Sequence, residues 1–548
     1  MCSSDLKNQE DCVLNTESTT APNPPTPDNP NKGWFAKFLA TVEWLGNLLP
    51  HPITLFALFC LFIVLFSGLA EWLGMSVPDP RPEGSAKREL DGMIQVNSLM
   101  SAEGLRWIVQ SLVTNFTGFT PLGTVLVALL GVSVAEHSGM LSALMRSLVI
   151  GASKRMVTVM IVFAGVVSNT ASELGYVVLI PMAALIFHSL GRHPLAGLAA
   201  AFAGVSAGYS ANLLIGTVDP LLSGITQEAA QMLDPTYLVG AEVNWYFMMI
   251  STLLIVIMGA FVTEKIVEPR LGPYNSDEAS IELGKQSVDD VTAAEKKGLR
   301  MAGLSFLILA AILALTVVPE WGVLRNVETG GVKNSPFLKG IVVYIFITFA
   351  IPGFVYGKVA GTMKGDRDVI DAMSKGMSSM GMYIVLVFFA AQFVAFFKWT
   401  NLGTVMAVKG AAMLQMLGLD GPMIFVFFIM VCGMVNLSLG SASAQWAVTA
   451  PIFVPMLMLI GYAPETIQAA YRIGDSVTNV ITPMMSYFGL ILAVATQYKK
   501  DLGIGTLIAT MLPYSIIFFV GWTLLFYLWV FVLGMPVGPG AATYYTPG

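Results

Sequence analysis

The chain has 548 residues, of which 55% are hydrophobic and only 12% charged, and its net charge is −6. A soluble domain carries about 25% charged residues, so a mean hydropathy of +0.71 leaves too little polar surface to face water on every side, and the bilayer is the natural solvent. There is no basic block suited to nucleic acid, and four cysteines (Cys2, Cys12, Cys60, Cys432) without a CxxC pair and four histidines without HExxH argue against a zinc enzyme.

Residues 1–33 are polar, rich in Pro and Asn, and lack the apolar core of a signal peptide, so they read as a disordered cytoplasmic tail. A membrane helix needs roughly 20 apolar residues. Windows of that kind lie at 50–74, 107–134, 246–266, 299–318, 337–356, 380–398, 422–439 and 506–533. Two further regions, about 140–225 and 440–498, are apolar but punctuated by Ser, Asn, Thr, Gly and Pro, and do not resolve into full spans.

Lys and Arg orient the chain. Residues 264–300 carry six, 356–376 four and 146–155 three, and Lys499–Lys500 separate two apolar runs, whereas 319–336 carry two and the segment after 534 none. The positive-inside rule puts the first four in the cytoplasm, with the N-terminus inside and the C-terminus outside. The expectation is an all-α integral membrane protein of about nine transmembrane helices plus two re-entrant helical hairpins. It divides into a tail (1–33), an N-terminal repeat (34–263, hairpin about 155–190), a cytoplasmic loop (264–298), scaffold helices (299–376), a C-terminal repeat (377–535, hairpin about 422–462) and an external tail (536–548).

The two interrupted regions resemble each other. A shift of 270 residues carries Pro181 onto Pro451, Gly191 onto Gly461, Pro194 onto Pro464, Gly204 onto Gly474 and Ser206 onto Ser476. Recurrence of helix breakers, rather than of the commonest apolar types, points to inverted repeats with broken helices, the sequence sign of a transporter site at the bilayer midplane.

Small hydroxyl and amide residues stand where each hairpin would turn. They are Ser168, Asn169, Thr170 and Ser172 with Glu173 in the first, and Asn436, Ser441 and Ser443 followed by Trp446 in the second. Backbone that leaves the helix there can coordinate a cation or hold a substrate carboxylate; helix–helix packing also favours small residues. Ionisable groups at membrane depth cost ~2.5–3.5 kcal/mol on insertion scales and mark sites by default. Asp219 (near Asn212, before Pro220) and Asp475 (in Arg472–Asn479, before Pro483) are the two acids of this kind. Arg472 lies three residues before Asp475, so the two share a helix face and could neutralise each other, or Arg472 could hold a substrate carboxylate. Asp219 before Pro220 could also cap a helix, and Trp446 could stack on a planar substrate or simply pack. Glu136 and His137 read as solvated at a cytoplasmic end. No Ser/His or Cys/His arrangement suits a membrane enzyme, and no continuous polar stripe suits a channel.

Several stretches carry a family resemblance: SNTASELGYVVLIPMAALIFHSLGRHPLAGLAAAFAGV, NLLIGTVDPLLSGITQEAA, EKIVEPRLG, FFAAQFVAFFKWTN, GSASAQWAVTAPIFVPMLMLIGYAPE, YRIGDSVTNVITPMMSYFG and PVGPG. Over residues 40–540 the sequence resembles the AbgT family of p-aminobenzoyl-glutamate transporters, nearest its MtrF-type branch of antimetabolite efflux members. The serine-rich tip also resembles the signature of divalent-anion/sodium symporters. The resemblance implies a dimeric carrier of the bacterial inner membrane, multi-pass, with no cofactor and with Na⁺ or H⁺ as coupling ion. Implied substrates are p-aminobenzoyl-glutamate, p-aminobenzoic acid and sulfonamides. Carried over by motif, Ser443, Trp446, Pro464, Arg472 and Pro483 would bind substrate, and Asp219, Asn436 and Asp475 would couple the cation, with Na⁺ at Asn436 and Asp475. Ser168, Asn169, Thr170, Ser172, Glu173, Asn212, Ser441 and Asn479 are secondary candidates. Some uptake members carry Asp where this chain has Glu173, which leaves the direction of transport open.

Overall fold

The computed structural model describes residues 51–81, 88, 91–150, 152–170, 175–275, 279, 290–332 and 335–546; the expected tail at 1–33 lies outside them, as do Ser172 and Glu173. Lipid offers the backbone no hydrogen-bond partner, so a chain this apolar satisfies its N–H and C=O groups within helices. Helix α1 (Pro52–Trp72) leads into a loop with one antiparallel pair, β1 (Ser76–Pro78) and β2 (Met93–Gln95). Helices α2 (Ala102–Thr117) and α3 (Thr120–His137) follow. The window expected at 107–134 as one span is in fact bent: Gly118 ends α2 and Pro121, lacking an N–H, fits the first turn of α3.

Next come α4 (Met140–Ile150), α5 (Val157–Ser168), α6 (Ile180–Ser189) and α7 (Pro194–Phe202), which runs on through a wider π turn, Ala203–Ala207. The chain continues with α8 (Val218–Ala230), α9 (Trp245–Val262), α10 (Ala293–Val317), α11 (Ile341–Ala360), α12 (Asp366–Ser379), α13 (Gly381–Trp399) and α14 (Leu402–Met416). It ends with α15 (Ile424–Leu439), α16 (Ala442–Ile460), α17 (Pro464–Asn479), α18 (Phe488–Tyr498) and α19 (Ile504–Tyr527).

Eight helical stretches among the described residues are long and apolar enough to cross a bilayer. One of them, α16, is an arm of a hairpin. The other seven, together with the broken helices α7/α8 and α17/α18, make nine crossings among the described residues. The window at 422–439 is not a separate span: α15 is only 16 residues long and turns back at Gly440 into α16. Phe428 meets Phe453 at 5.2 Å between ring centroids, and Gln445 Nε2 donates to Cys432 O at 2.6 Å, so the two arms run antiparallel. In the first hairpin, a Cβ on Gly175, just before α6, would stand 2.2 Å from Ser168 Oγ at the end of α5.

The repeat survives in three dimensions. Gly191 (φ +72°) and Gly461 (φ +112°) are left-handed residues that end the second arm of each hairpin. Pro194 and Pro464 then open α7 and α17, where a missing N–H costs nothing. Beyond them a Cβ on Gly204 would lie 2.5 Å from Val162 O, and one on Gly474 the same 2.5 Å from Ile429 O. Each broken helix thus presses its backbone on the first arm of its own hairpin, through a small residue that permits close approach.

Polar contacts sort the loops to two ends. At one, Arg146 binds Glu295 (2.5 Å), Arg192 binds Glu268 (2.5 Å), Thr362 Oγ1 donates to Ser138 O (2.7 Å) and Tyr274 Oη to Tyr498 O (3.0 Å). This basic end also holds Lys499 and Lys500. At the other, Asn97 N donates to Thr400 O (3.1 Å), Phe247 N to Val537 O (2.9 Å) and Ala463 N to Thr543 O (3.1 Å), so the C-terminal segment is strapped there. The scaffold helices pack on small residues too: a Cβ on Gly131 would be 2.3 Å from Phe346 O, and one on Gly353 2.6 Å from Ala135 Cα.

Candidate functional site

The breaks in α7/α8 and α17/α18 face each other at the centre of the molecule, between the two hairpin tips. Asn479 Nδ2 donates to Ser206 O (3.4 Å), and Ser210 N to Ser476 Oγ (3.1 Å), joining the two repeats backbone to side chain.

Asp219 sits in the first turn of α8, where a carboxylate is favoured by the helix dipole. Its Oδ2 accepts from Gly216 N at 2.7 Å, as a cap would. Its Oδ1 accepts from Arg472 Nη1 at 2.6 Å, and Arg472 Nη2 also donates to Ser210 O at 3.2 Å. Arg472 is 2% exposed and Asp219 6%. The helix-face spacing allowed Arg472 to pair with Asp475; in the folded chain the guanidinium reaches across to Asp219 instead.

Asp475 is fully buried, and neither carboxylate oxygen has a hydrogen-bond partner. Beside it, Asn436 Nδ2 donates to Asp475 O (2.8 Å), Thr478 Oγ1 (3.0 Å) and Asn479 Oδ1 (2.7 Å), while Asn436 Oδ1 has no partner. Buried polar atoms are normally satisfied. Nine described side-chain atoms are not, and all but those of Glu242 and Thr523 belong to Asn169, Ser210, Asn436, Gln445, Arg472 and Asp475, around this centre. The unsatisfied set is mostly oxygen acceptors, which a proton or a hard cation would complete.

A cavity of about 660 Å³ opens beside the two tips. Gly440, Ser441 and Ser443 line it from the second hairpin, Asn169 from the first and Asn479 from α17, and its mouth carries Glu136, His137 and Lys375 near the basic end. Glu136 and His137, expected to be solvated, stand at this opening. Gly440 must be glycine twice over. Its φ is +57°, and a Cβ would lie 2.9 Å from Met484 O. Ser441 caps α16 through Ala444 N (3.5 Å). Thr170 Oγ1 donates to Asn212 Oδ1 at 2.5 Å, tying the first tip to the break after α7, and Ser168 Oγ donates to Gly165 O at 2.6 Å.

Of the substrate-binding candidates only Ser443 lines this cavity; Arg472, like Asp219, Asn436, Asp475, Ser168, Thr170 and Asn212, lies outside its wall, and so do Trp446, Pro464 and Pro483. Trp446 is fully buried, stacked on Tyr471 (4.1 Å between centroids, 22°), with Nε1 donating to Thr226 Oγ1 at 2.8 Å. Pro464 starts α17 at the far end, and Pro483 occupies the break that follows α17, next to the wall residues Met485 and Tyr487. The aromatic surface that does face the cavity, with Tyr209 and Tyr383, includes a stacked pair the sequence did not single out. Tyr176 and Tyr487 lie parallel at 4.6 Å and 5°, contributed by segments far apart in the chain. A buried polar chain was also missed. Thr226 Oγ1 donates to Gln468 Oε1 (2.6 Å), Gln468 Nε2 to Asn244 Oδ1 (2.7 Å) and Asn244 Nδ2 to Glu465 O (2.8 Å). No local signal distinguishes these residues from helix-surface polar groups.

Residues 37–545 match the model of the AbgT transporter family. The p-aminobenzoyl-glutamate transport protein of Escherichia coli K12 is 38% identical over 514 residues, 93% of this chain and 98% of that protein. Among solved structures, Neisseria gonorrhoeae MtrF, described within a class of antimetabolite efflux pumps, matches with a TM-score of 0.86 and 62% identity over 92% of this chain and all of that one. The Alcanivorax borkumensis YdaH transporter, described as having an unusual topology, matches at 0.82 with 44% identity over 89% of this chain and all of that one. Two hairpins, two broken helices and this end-to-end similarity place the chain in the AbgT family of membrane transporters.

Proposed function

We propose that the chain is an ion-coupled secondary transporter of p-aminobenzoyl-glutamate, p-aminobenzoic acid and like folate metabolites, and that it exports sulfonamide antimetabolites. The observation that carries the reading is the unpartnered, fully buried carboxylate of Asp475 at the meeting point of a hairpin tip and two broken helices. A charge there is costly without a counter-ion, so it binds a proton or a cation, and Asn436 stands ready to share it. Asp219 serves by holding Arg472 in place. Ser443 and Asn479 offer hydrogen bonds to the solute, and the Tyr176–Tyr487 pair offers a flat apolar face. Trp446 supports the wall from behind through Tyr471.

The excess of Lys and Arg at the basic end supports a cytoplasmic placement of that end, with the C-terminus periplasmic. The cavity then opens inward. The outward faces of α1, α10 and α11 are apolar, as with Leu304, Leu307, Ile312 and Leu315, and suit lipid or a second copy of the chain in a homodimer. Carriage rather than catalysis is the reading throughout. Sodium-coupled uptake is the second reading, favoured by the oxygen character of the open ligands on Asn436 and Asp475.

The test is reconstituted transport of labelled p-aminobenzoyl-glutamate and of a sulfonamide, with sodium and proton gradients imposed separately. Saturating flux that follows one gradient and is lost in Asp475→Ala is expected. Gradient-independent flux, or full coupling in that variant, would overturn the assignment.

A further inference from the structure

A second cavity, of about 560 Å³, lies at the end opposite the basic loops. Its walls include Thr124 of α3, Gln227 of α8, Glu465 at the start of α17, Glu242 of the 231–244 loop and Lys339. It shares two walls with the cavity at the hairpin tips. Along α3, Thr120 and Thr124 face one, and Val125, Leu129 and Ser133 the other; along α8, Ser223 and Gln227 face one, and Thr217 and Leu221 the other. What stands between them on these helices is a seam. A Cβ on Gly224 would lie 2.9 Å from Pro121 Cγ, Thr120 Oγ1 donates to Glu228 Oε1 at 3.0 Å, and Tyr383 Oη donates to Pro121 O at 3.0 Å.

The wall of the second cavity carries an unmet acceptor. Glu242 is 6% exposed and its Oε2 has no hydrogen-bond partner. Glu465 nearby is engaged, accepting from Tyr237 Oη at 2.8 Å. Lys339, exposed at the rim, is the one basic group among the lining residues. An acceptor in the wall and a cation at the rim match a solute with an amine at one end and an anion at the other.

We propose that this cavity is a second substrate station. It takes p-aminoaryl anions, with the aryl amine donating to Glu242 and the carboxylate or sulfonamide end held near Lys339, and the solute passes between stations when the Pro121–Gly224 seam parts. This rests on the substrate class proposed above. Burial also pushes the Glu242 carboxyl above its ordinary range.

The experiment uses the full chain in detergent, with its four native cysteines replaced and single reporters added: Thr124→Cys in the second cavity and Ser379→Cys in the first. Leu238→Cys, on an exposed lining position, serves should Thr124→Cys fail to fold. The readout is the rate of maleimide labelling with p-aminobenzoyl-glutamate added. A ligand at about ten times its dissociation constant leaves about one site in ten open, so labelling at both reporters slows about tenfold. Adding Glu242→Leu or Lys339→Ala abolishes protection at position 124 and leaves it at 379. Protection at 379 alone, or protection at 124 unchanged in both added variants, overturns the second station while the transport reading stands. Protection at neither overturns both.

Discussion

Arg472 gives its hydrogen bond to Asp219 on another broken helix, at 2.6 Å, and leaves the carboxylate of Asp475, one turn along its own helix, with no hydrogen-bond partner. In the function proposed above the two acids have different work: Asp219 fixes the geometry of the centre, and Asp475 exchanges a proton or cation.

Asp475→Asn keeps the shape of the side chain and removes its charge. Coupled flux is expected to vanish, while the thermal midpoint of the purified protein holds or rises, since a buried charge without a partner stabilises nothing. A marked fall in the midpoint would mean that the carboxylate has a structural role.

Breaking the Asp219–Arg472 pair strands one charge in the interior. Asp219→Ala and Arg472→Ala are each expected to cost about 3–5 kcal/mol, and the double variant clearly less than the sum. Arg472→Lys is not a conservative change, because two different guanidinium nitrogens bond Asp219 and Ser210. Denaturation in detergent measures all four. Additive losses would show that the pair is not coupled.

The matched glycines give a test of the repeat itself. Gly204→Ala and Gly474→Ala each drive a methyl group to about the same place against a carbonyl of the first hairpin arm. Overpacking of this kind costs about 1–3 kcal/mol or more. Both variants should lose stability to a similar degree in thermal melts; Gly303→Ala, with open space around it, should not.

Glu242 supplies a pH signature. Its folded carboxyl is raised by burial, so its contribution to stability is whole below the ordinary carboxylate range and is lost as pH rises through the raised value. Glu242→Gln should therefore flatten the loss of thermal midpoint on going from mildly acidic to neutral pH. An unchanged slope in the variant would remove Glu242 as its source.

Trp446→Phe keeps the stack on Tyr471 and loses the bond to Thr226, whereas Trp446→Ala loses both. A modest stability loss of about 1 kcal/mol for Phe, with substrate affinity retained, is expected. A large fall in affinity with unchanged stability would instead put the indole in contact with substrate.

Much of the architecture was legible because lipid imposes local rules. Apolar windows mark helices whatever their neighbours do, and glycine or proline at matched positions marks a break that its own backbone chemistry enforces, as with Gly191, Pro194, Gly461 and Pro464. Windows of equal hydropathy misled only where length decides: α15 is too short to cross, and the span at 107–134 bends at Gly118. The centre was legible in its residue types and not in its pairings.

By itself, then, the sequence determined a membrane-embedded, twice-repeated helical chain with acids and hydroxyls at its breaks, since composition and periodicity act residue by residue. Only the tertiary structure decided that Arg472 answers Asp219, that Trp446 hides behind Tyr471 and that Tyr176 meets Tyr487. The first and third depend on helices from opposite repeats meeting at one point, and the second on α16 and α17 of one repeat packing face to face. The distance between side chains on different helices is set by packing, which no local pattern encodes.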